Sequence, residues 1–541
     1  MVSTEEILKN FPAPEFRKYQ KQAVTLINNH FNSGGKVVIL EAPTGLGKSL
    51  INATFTRTFK SFYVTPQLTL IDQILNDRFL AQYFVEIKGR QNYWCTLDPN
   101  ATCDVGLCQR LKEVRCDKLQ QCPYYMQKAE ALVSFTALMS FAYFILEGRV
   151  QTDFSFGRRD LSVIDECHNL EGHVVNSVNL IISPYAMPYD LYMNIRTLLD
   201  KELRTQDEVK ALVNTVMSQV EDEHENMIQL TMLGEELSID QAKSSIKLNN
   251  WKSNATRFLE TVDETEWVWQ HGWVTFKGRS YKTYLIQPLY ARPFTKEFIW
   301  NRSNKFILSS ATILDPQNYV KQVGLDLSFR ASEIKHIKLP SIFPVENRPI
   351  LDKVIGKLTY KYRDENMGIA VRTLEMIMDI EEGVNVAVHC VSYQNAQEIS
   401  DLLDYKYNSR IITQVPGTRK EALEDFLSGG GKVFLSVAYT EGQDWAGELC
   451  EAQVLFKVPY MYVGDKRVAR RLEKKEWKWY RLEALKQVIQ SYGRAVRSKT
   501  DVARYYVIDE SFIDLLKRTR RSIPSWFAEA LPPEWRRIIG L

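Results

Sequence analysis

The sequence predicts an α/β protein built from two consecutive domains, each with a parallel sheet that helices cover on both faces. The first observation is the run VVILEAPTGLGKS over 37–49, which indicates a buried strand, a glycine-flexed loop and the start of a helix. The second is a set of apolar runs in the C-terminal half, separated by stretches with helical spacing. These further strand candidates lie at 384–391, 432–437, 453–458 and 504–508.

Composition and charge are those of an ordinary globular protein. The 541 residues, of which 45% are hydrophobic and 25% charged, are enough for about three or four domains. The net charge of +3 indicates no partner by itself, so a surface for nucleic acid has to be a local patch. No apolar run of about 18 residues occurs and the first residues are acidic, so we expect neither a membrane span nor export. The expected location is a reducing intracellular compartment, the cytoplasm or nucleoid.

The loop after the first strand has the composition of a phosphate-binding site. Gly45 and Gly47 allow backbone N–H groups to turn around an anion. Lys48 can reach the β- and γ-phosphates of a nucleotide, and the Ser49 hydroxyl can hold Mg²⁺. Ala42 stands where the common form of this loop has glycine, so a loop that binds nothing is the alternative.

A later apolar strand ends in two acids. In the run LSVIDECH over 161–168, Asp165 can hold Mg²⁺ and Glu166 can polarise an attacking water molecule. The loop and the acids together predict a nucleotide hydrolase. An amphipathic helix over about 16–32 precedes the loop, and its Arg17 and Gln20 either contact adenine and phosphate or are ordinary surface residues.

Polar residues follow other predicted strands and form a further group of candidates. Open α/β sheets bind ligands at the carboxyl ends of their strands, so small hydroxyl residues there can link the nucleotide site to a second ligand. Plain strand-end turns are the alternative. A helix near the C-terminus presents Gln490, Arg494 and Arg497, and its two arginines lie on one face. They can stabilise charge on a transferring phosphoryl group if the two domains face each other.

Residues 88–125 interrupt the α/β pattern with a polar, turn-rich segment. Clustered cysteines in a chain that is not secreted predict a metal site more than disulfides. Paired short knuckles, which structural zinc prefers, are missing, so we favour an iron–sulfur cluster held by four thiolates. Reduced cysteines in a small insertion are the alternative. The five cysteines of the segment are Cys95, Cys103, Cys108, Cys116 and Cys122.

The same segment is locally basic, with aromatic residues between its cations. Such a surface suits a groove that follows a phosphate backbone, and a solvated charged face is the alternative. The basic and aromatic stretch 466–481 has the same two interpretations. Between them, charged stretches with helical spacing over about 176–262 predict a mostly helical inserted domain. Tryptophan-rich runs on either side of Gly272 then predict a β-hairpin that returns to the first sheet.

Several segments occur here in the order in which the XPD/DinG family of superfamily 2 helicases carries them. They are APTGLGKS, GRQNYWC…CPYY, VIDECHNLE, SSATIL, YTEGQDWAGE and QSYGRAVRS. The chain resembles this iron–sulfur family over nearly its whole length. The resemblance implies two tandem RecA-like motor domains, with a cluster insert and a helical arch inserted in the first. The implied boundaries are 1–87, 126–175 and 263–335 for the first motor domain, 88–125 for the cluster insert, 176–262 for the arch and 336–541 for the second motor domain.

The resemblance also implies an activity, namely that of an ATP-dependent DNA helicase or translocase that binds ATP and Mg²⁺ between its motor domains. It would move 5′-to-3′ on single-stranded DNA and unwind forked duplex or DNA–RNA hybrid, as a monomer with protein partners on the arch. The alternative is an ATPase switch, or a DNA-bound recruitment or protein-displacement factor, without processive unwinding.

The resemblance assigns roles to individual residues. The catalytic set is Lys48, Asp165, Glu166, Arg494 and Arg497. The nucleotide-binding set is Gln20, Thr44, Gly45, Gly47, Lys48, Ser49 and Gln490, and magnesium falls to Ser49 and Asp165. The residues assigned to the DNA track, or to the link between that track and ATP, are Thr65, Thr312, Ser392 and Tyr393. The [4Fe–4S] cluster falls to Cys95, Cys108, Cys116 and Cys122, with Cys103 as the alternative to Cys108.

Overall fold

A computed structural model gives the structure of most of the chain. The described residues are 2–116, 121–149, 154–437, 449–496, 498 and 500–541. Arg497 and the motif at 441–444, both singled out by the sequence, lie outside the described residues. Among the helices of the described ranges, none is long and apolar enough to cross a membrane.

The strands fall into three sheets. In chain order they are β1 (Val37–Glu41), β2 (Ser61–Thr65), β3 (Val85–Glu86), β4 (Thr136–Ser140), β5 (Arg159–Asp165), β6 (Leu180–Ile182), β7 (Trp267–Phe276), β8 (Arg279–Pro288), β9 (Ser303–Ser310), β10 (Ile334–Lys338), β11 (Ile350–Gly356), β12 (Val386–His389), β13 (Ile411–Thr413), β14 (Val433–Ser436), β15 (Ala452–Leu455) and β16 (Arg504–Asp509).

Helices connect these strands and fill the inserted regions. They are α1 (Thr4–Lys9), α2 (Gln20–Asn32), α3 (Lys48–Thr56), α4 (Leu68–Asn76), α5 (Leu107–Arg110), α6 (Pro123–Val133), α7 (Phe141–Arg149), α8 (Leu170–Val178), α9 (Tyr189–Ile195), α10 (Gln206–Met232), α11 (Ile239–Thr261), α12 (Arg292–Thr295), α13 (Pro316–Gln322), α14 (Arg363–Ile380), α15 (Tyr393–Leu402), α16 (Arg419–Leu427), α17 (Lys466–Glu473), α18 (Trp477–Tyr492), α19 (Ser511–Thr519), α20 (Ser525–Ala528) and α21 (Pro533–Ile539).

The sheet of the first domain has the strand order β10-β1-β9-β5-β2-β4-β3, and every neighbouring pair is parallel. β1 and β2 are buried over their whole length, as expected for strands that helices cover on both faces. β9 lies between β1 and β5 and aligns Glu41 with Ser310 and Asp165 with Ser309. The loop after β1 and the acids that end β5 therefore open on the same edge of the sheet.

The sheet of the second domain has the order β11-β16-β15-β12-β14-β13 and is also parallel. β12, β14, β15 and β16 occupy the apolar runs that predicted them. β11 and β13 were not predicted, because β13 has three residues and β11 is only partly buried, so neither gives a continuous apolar run. The predicted fold class, two consecutive α/β domains with parallel sheets, is confirmed.

A third, antiparallel sheet with the order β6-β8-β7 is separate from both parallel sheets. The prediction that the hairpin returns to the first sheet, within 263–335, is therefore wrong. Its turn was also misplaced, because β7 continues through Gly272 and the chain reverses at Lys277 and Gly278. Their φ values of 47° and 75° give the two-residue turn whose twist suits a hairpin. The second strand of the hairpin, β8, then pairs with β6.

The helix pair α10 and α11 fills most of the stretch for which a helical insert was predicted. Each helix begins with a capping box, Thr205 with Glu208 and Ser238 with Gln241, which satisfies N–H groups of the first turn. Valines at helical spacing give α10 a buried face. These residues are Val209, Val213, Val216 and Val220.

The cysteine segment touches this helical arch. Arg110 pairs with Asp98 inside the segment, and its Nη1 lies 2.8 Å from Oε1 of Glu236 on the arch. The carbonyl of Arg110 also accepts a hydrogen bond of 3.0 Å from the backbone N–H of Leu237. A small apolar contact joins the same two parts through Ala101, Val105 and Ala242. The cysteine segment and the arch are both inserted in the first domain. This contact therefore links the first domain, the cysteine segment and the arch into a closed ring.

Candidate nucleotide site and cysteine cluster

A cavity of about 540 Å³ lies between the two domains, where the carboxyl ends of the first sheet meet the end of α18. The first domain supplies the glycine-flexed loop and the acids, and the second supplies residues at the end of α18. The predicted site residues that line it are Thr44, Gly45, Gly47, Lys48, Ser49, Asp165, Glu166, Gln490 and Arg494. The cavity thus gathers the predicted hydrolytic residues of the described ranges.

The phosphate loop, residues 42–49, requires glycine at two positions. Gly45 and Gly47 have φ values of 77° and 87°, in the left-handed region that other residues enter only at an energetic cost. A Cβ atom at Gly47 would lie 2.4 Å from Nε2 of Gln20, so a larger residue would displace a buried side chain as well. α3 begins at Lys48 directly after the loop, so the N–H groups of Lys48 and Ser49 at its start can face an anion.

Gln20 supports the phosphate loop from behind. Its side chain is fully buried, its Oε1 accepts a 2.7 Å hydrogen bond from the backbone N–H of Arg17, and its Nε2 donates to the carbonyl of Leu46 over 2.9 Å. Arg17 lines the cavity and donates from Nη1 to the carbonyl of Gly45 over 2.7 Å. The family pattern assigns Gln20 to adenine, whereas in this structure backbone groups of the protein occupy its amide.

Asp165 is buried at the end of β5 and is held by two hydroxyl groups. Tyr63 donates to Oδ2 over 3.0 Å, and Ser309 donates to Oδ1 over 2.9 Å. Burial and the neighbouring charge of Glu166 raise the pKa of Asp165, while the charge of Lys48 opposes this shift. A further cation at this place would stabilise the ionised form of Asp165, and carboxylate oxygens are ligands that Mg²⁺ prefers. The residues present therefore fit Mg²⁺.

Lys48 and Glu166 face each other across the floor of the cavity. Nζ of Lys48 lies 3.7 Å from Oε1 of Glu166 and 3.4 Å from the carbonyl of Ala42. Glu166 has a φ of 47°, a left-handed conformation that is rare for this residue and typical of functional sites. Its Oε2 lies 3.3 Å from Nδ1 of His168. Lys48 can meet a phosphate here, and Glu166 can orient a water molecule beside it.

The second domain closes the cavity through two contacts at the end of α18. Thr44 donates from Oγ1 to the carbonyl of Gly493 over 2.8 Å. Gln490 donates to Oγ1 of Thr312 over 3.2 Å, and its amide also contacts the ring of His168. The sequence did not single out His168, although it ends the acidic run, because its role depends on a partner that is distant in the chain.

Arg494 lies in the turn after α18 and not on the helix itself. The spacing predicted Arg494 and Arg497 on one helical face, but α18 ends at Tyr492 and Gly493 follows as its C-cap. Arg494 is 6% exposed and contributes to the cavity wall from the second domain. Arg497 lies outside the described residues.

The four residues assigned to the DNA track differ in exposure. Thr65 and Thr312 are buried, and Thr65 donates to the carbonyl of Gln67 over 3.1 Å. Ser392 caps α15 by accepting a hydrogen bond from a backbone N–H of the first turn. Tyr393 is 41% exposed, so its side chain is accessible to a ligand on the surface.

Comparisons with known proteins agree on one fold. The family model "Type III restriction enzyme, res subunit" matches residues 13–193, and the model "Helicase C-terminal domain" matches residues 374–530. A solved structure described as an XPD helicase covers 94% of this chain and 98% of its own, with 18% identity and a TM-score of 0.64. This likeness spans both domains. The chain has the fold of the XPD helicase structures.

Two further relatives have the same extent. Xpd4 of S. tokodaii covers 95% of this chain and 99% of its own, with 15% identity and a TM-score of 0.59. A protein of Methanocaldococcus jannaschii described as a probable ATP-dependent helicase is 22% identical over 95% of this chain and 94% of its own. The resemblance to XPD helicases, the two RecA-like motor domains and the enzyme class, an ATP-dependent helicase, are thus confirmed.

The basic stretch 466–481 of the helicase is an interface between the motor domains. Arg467 and Arg471 of α17 pair with Glu171 of α8 in the first domain. Arg470 of the same helix pairs with Glu266, which precedes the hairpin. Arg467 and Arg471 are shielded from solvent by their pairing with Glu171, whereas Arg470 remains 46% exposed. Sequence spacing could not reveal partners that lie about 200 to 300 residues away.

The cysteines of the insert gather in one place. A short antiparallel bridge pairs Trp94 with Thr102, the residues that precede Cys95 and Cys103. Sγ of Cys103 lies 3.9 Å from Sγ of Cys122. Burial and the neighbouring sulfurs raise the pKa of Cys103 and of Cys116 to about 12. Cys108 is half-buried, whereas the other four are buried. Within the described ranges, no three His, Cys, Asp or Glu side chains are arranged so that they could hold a metal ion.

Three cations of the insert that suggested a basic groove are engaged within the protein. Nζ of Lys88 lies 2.9 Å from Asp72, and the guanidinium of Arg90 lies 5.1 Å from the ring centre of Tyr124. Arg110 is the buried ion-pair partner that joins the insert to the arch. These side chains therefore serve the packing of the insert more than a nucleic-acid groove.

We expect Gln20→Ala to weaken ATP binding without changing the preference for the base. Loss of the buried hydrogen bonds to the phosphate loop should raise the KM for ATP by roughly tenfold. The amide does not face the cavity, so the ratio of kcat/KM for ATP to that for GTP should stay within about twofold of the wild-type value. Steady-state hydrolysis of both nucleotides measures both effects. A variant that loses discrimination between ATP and GTP would show that Gln20 binds the base.

Proposed function

We propose that this helicase moves 5′-to-3′ along single-stranded DNA, driven by ATP hydrolysis, and separates forked duplex or DNA–RNA hybrid. The observation that supports the hydrolysis step most directly is that Lys48, Glu166 and Arg494, from two domains, line one cavity. The family resemblance supports the direction of movement and the nucleic acid. The protein would act as a monomer in a reducing intracellular compartment, the cytoplasm or nucleoid.

In the proposed reaction the phosphates of ATP lie against the N–H groups of the phosphate loop and against Lys48. Ser49 and Asp165 would hold Mg²⁺, which offsets charge on the phosphate oxygens. Glu166 orients the attacking water molecule. Arg494 stabilises the negative charge that spreads over the transferring phosphoryl group, so hydrolysis requires the second motor domain to be in place.

The ring of first domain, cysteine insert and arch supports a role in guiding one strand. Arg110 and Glu236 close this ring over 2.8 Å. A strand that runs across the first domain next to the ring would be separated from its complement there. The outer surface of the arch helices remains the proposed place for protein partners.

One observation favours the second candidate function, an ATPase switch without processive unwinding. Arg110 of the insert and Arg467 of the second domain are already bound to acids of the protein, which removes two candidate contacts to phosphate. Such a protein would hydrolyse ATP when bound to DNA and would recruit or displace proteins, but it would leave a duplex intact.

Unwinding assays on tailed duplexes separate the two functions and test the direction. We expect strand displacement on a duplex with a 5′ single-stranded tail and little on one with a 3′ tail. Lys48→Ala should abolish both displacement and hydrolysis, since loss of such electrostatic stabilisation costs on the order of 10²–10³ in rate. DNA-stimulated hydrolysis without displacement on either substrate would favour the switch, and displacement from the 3′ tail would contradict the proposed direction.

We further propose that the insert carries an iron–sulfur cluster that gives it its shape. The support is the composition of the insert, a turn-rich segment with little apolar material that brings together thiols whose thiolate forms would repel one another. The described side chains do not themselves form a three-ligand group. Four of the five cysteines are buried, so we assign these as ligands and replace Cys108 by Cys103 in the predicted set. The proposed ligands are Cys95, Cys103, Cys116 and Cys122.

Serine variants test this assignment. Cys122→Ser and Cys103→Ser should lose the visible absorbance and the iron, together with unwinding, while much of the ATPase activity survives. Cys108→Ser should retain absorbance, iron and unwinding. Iron content and the visible spectrum after anaerobic purification measure the outcome. Iron retained in Cys103→Ser would contradict the ligand set, and a colourless wild-type protein that contains zinc would contradict the cluster itself.

A further inference from the structure

A buried group of charges joins the second motor domain to the helix that follows the hydrolytic acids. Arg467 and Arg471 of α17 both donate to Oε1 of Glu171 on α8, each over 2.7 Å. Arg471 also donates from Nε to Glu476 over 2.8 Å, and its guanidinium lies 3.6 Å from the ring centre of Trp479. One carboxylate of the first domain thus holds two arginines of the second.

This Glu171 network, formed by Glu171, Arg467 and Arg471, is shielded from solvent. The exposed fractions of these side chains are 12%, 16% and 3%, respectively. Burial alone would raise the pKa of Glu171, but Arg471 and Arg467 hold that pKa below its ordinary value. The carboxylate stays ionised, and salt weakens such a buried pair much less than it weakens an exposed pair.

Glu171 lies close in the chain to the acids of the cavity. A single 3₁₀ turn, Cys167–Asn169, separates Glu166 from α8, whose first turn contains Glu171. A shift of this first turn therefore moves the backbone of Glu166 with it. Glu171 is not among the described residues that line the cavity, so it does not contact the nucleotide itself.

We propose that Glu171 is a positioning residue for hydrolysis. By pairing with Arg467 and Arg471, it keeps the hydrolytic acids at the end of β5 in a fixed position relative to the second motor domain. The inference rests on the proposed hydrolysis of ATP between the two domains. Without the carboxylate, two arginines that share one oxygen atom would repel each other, and α17 would move away from α8. Arg494, which belongs to the same domain as α17, would then be displaced relative to Glu166.

The test is the kinetics of Glu171→Gln in the full-length protein. We expect kcat for DNA-stimulated hydrolysis to fall on the order of 10- to 100-fold, the effect of a misplaced catalytic group. The KM for ATP should stay within about twofold, since Glu171 does not contact the nucleotide. Removing one of the repelling charges in Glu171→Gln/Arg471→Gln should recover part of the lost kcat, which a loss of general stability would not do.

Glu266→Gln is the matched control, because it removes a carboxylate that also pairs with α17 but is 31% exposed. This variant should keep kcat within about twofold, as expected for an exposed pair. Arg467→Gln provides a second variant, with a smaller loss of kcat and an unchanged KM, should Glu171→Gln not fold. An equal loss in Glu266→Gln, or a raised KM with unchanged kcat in Glu171→Gln, would overturn the inference.

The two proposals fail in different ways. A wild-type protein that does not hydrolyse ATP would contradict the proposed function. A wild-type protein that hydrolyses ATP normally, with Glu171→Gln equally active, would contradict only the positioning role of Glu171.

Discussion

The active arrangement of this helicase depends on the contact between the end of α18 and the strand ends of the first sheet. Thr44 reaches the carbonyl of Gly493, and Gln490 reaches Thr312, so the phosphate loop and the end of β9 both touch the second motor domain. Because of these contacts, residues of both domains line the cavity. A chain whose domains were apart would keep Lys48 and Asp165 but would lose Arg494 from the site.

Several charges of this interface lie close to a counter-charge. In the cavity, Lys48 lies near Glu166 and offsets part of the unfavourable burial of Asp165. Outside it, Glu171 neutralises arginines of α17. Buried ions are costly unless they are paired, so the relative placement of the two domains is restricted to positions in which these pairs form. Nucleotide and Mg²⁺ would change the charge balance of the cavity but not that of the Glu171 network.

Much of the fold was predictable because its signals are local. The buried strands β1 and β5 are continuous apolar runs, and the residues after them, from Gly45 to Ser49 and from Asp165 on, have the chemistry of a nucleotide site. The turn of the hairpin was misplaced because Gly272 is an obvious breaker, whereas Lys277 adopts a positive φ that its residue type does not suggest. β13 was missed because three residues carry too little pattern.

The site residues that the sequence describes least completely are those with a contact to a residue distant in the chain. Gln20 resembles a base-binding residue in the sequence, and only the folded loop shows that Leu46 and Arg17 occupy its amide. The cations of α17 resemble a surface for nucleic acid until Glu171 is found beside them. Cys108 was favoured over Cys103 as a cluster ligand, whereas Cys103 is the more buried of the two. In each case the missing information is a long-range contact, which a linear pattern does not contain.

The central claim, a hydrolytic site shared by two motor domains, is tested most directly by the single-turnover rate of hydrolysis of bound ATP in Arg494→Ala. The account predicts a loss on the order of 10³ or more in this rate, because the transferring phosphoryl group loses its cation from the second domain. ATP affinity, measured separately, should change little, and Arg518→Ala, on the exposed end of α19, should hydrolyse ATP like the wild type. Hydrolysis near the wild-type rate in Arg494→Ala would contradict a shared site.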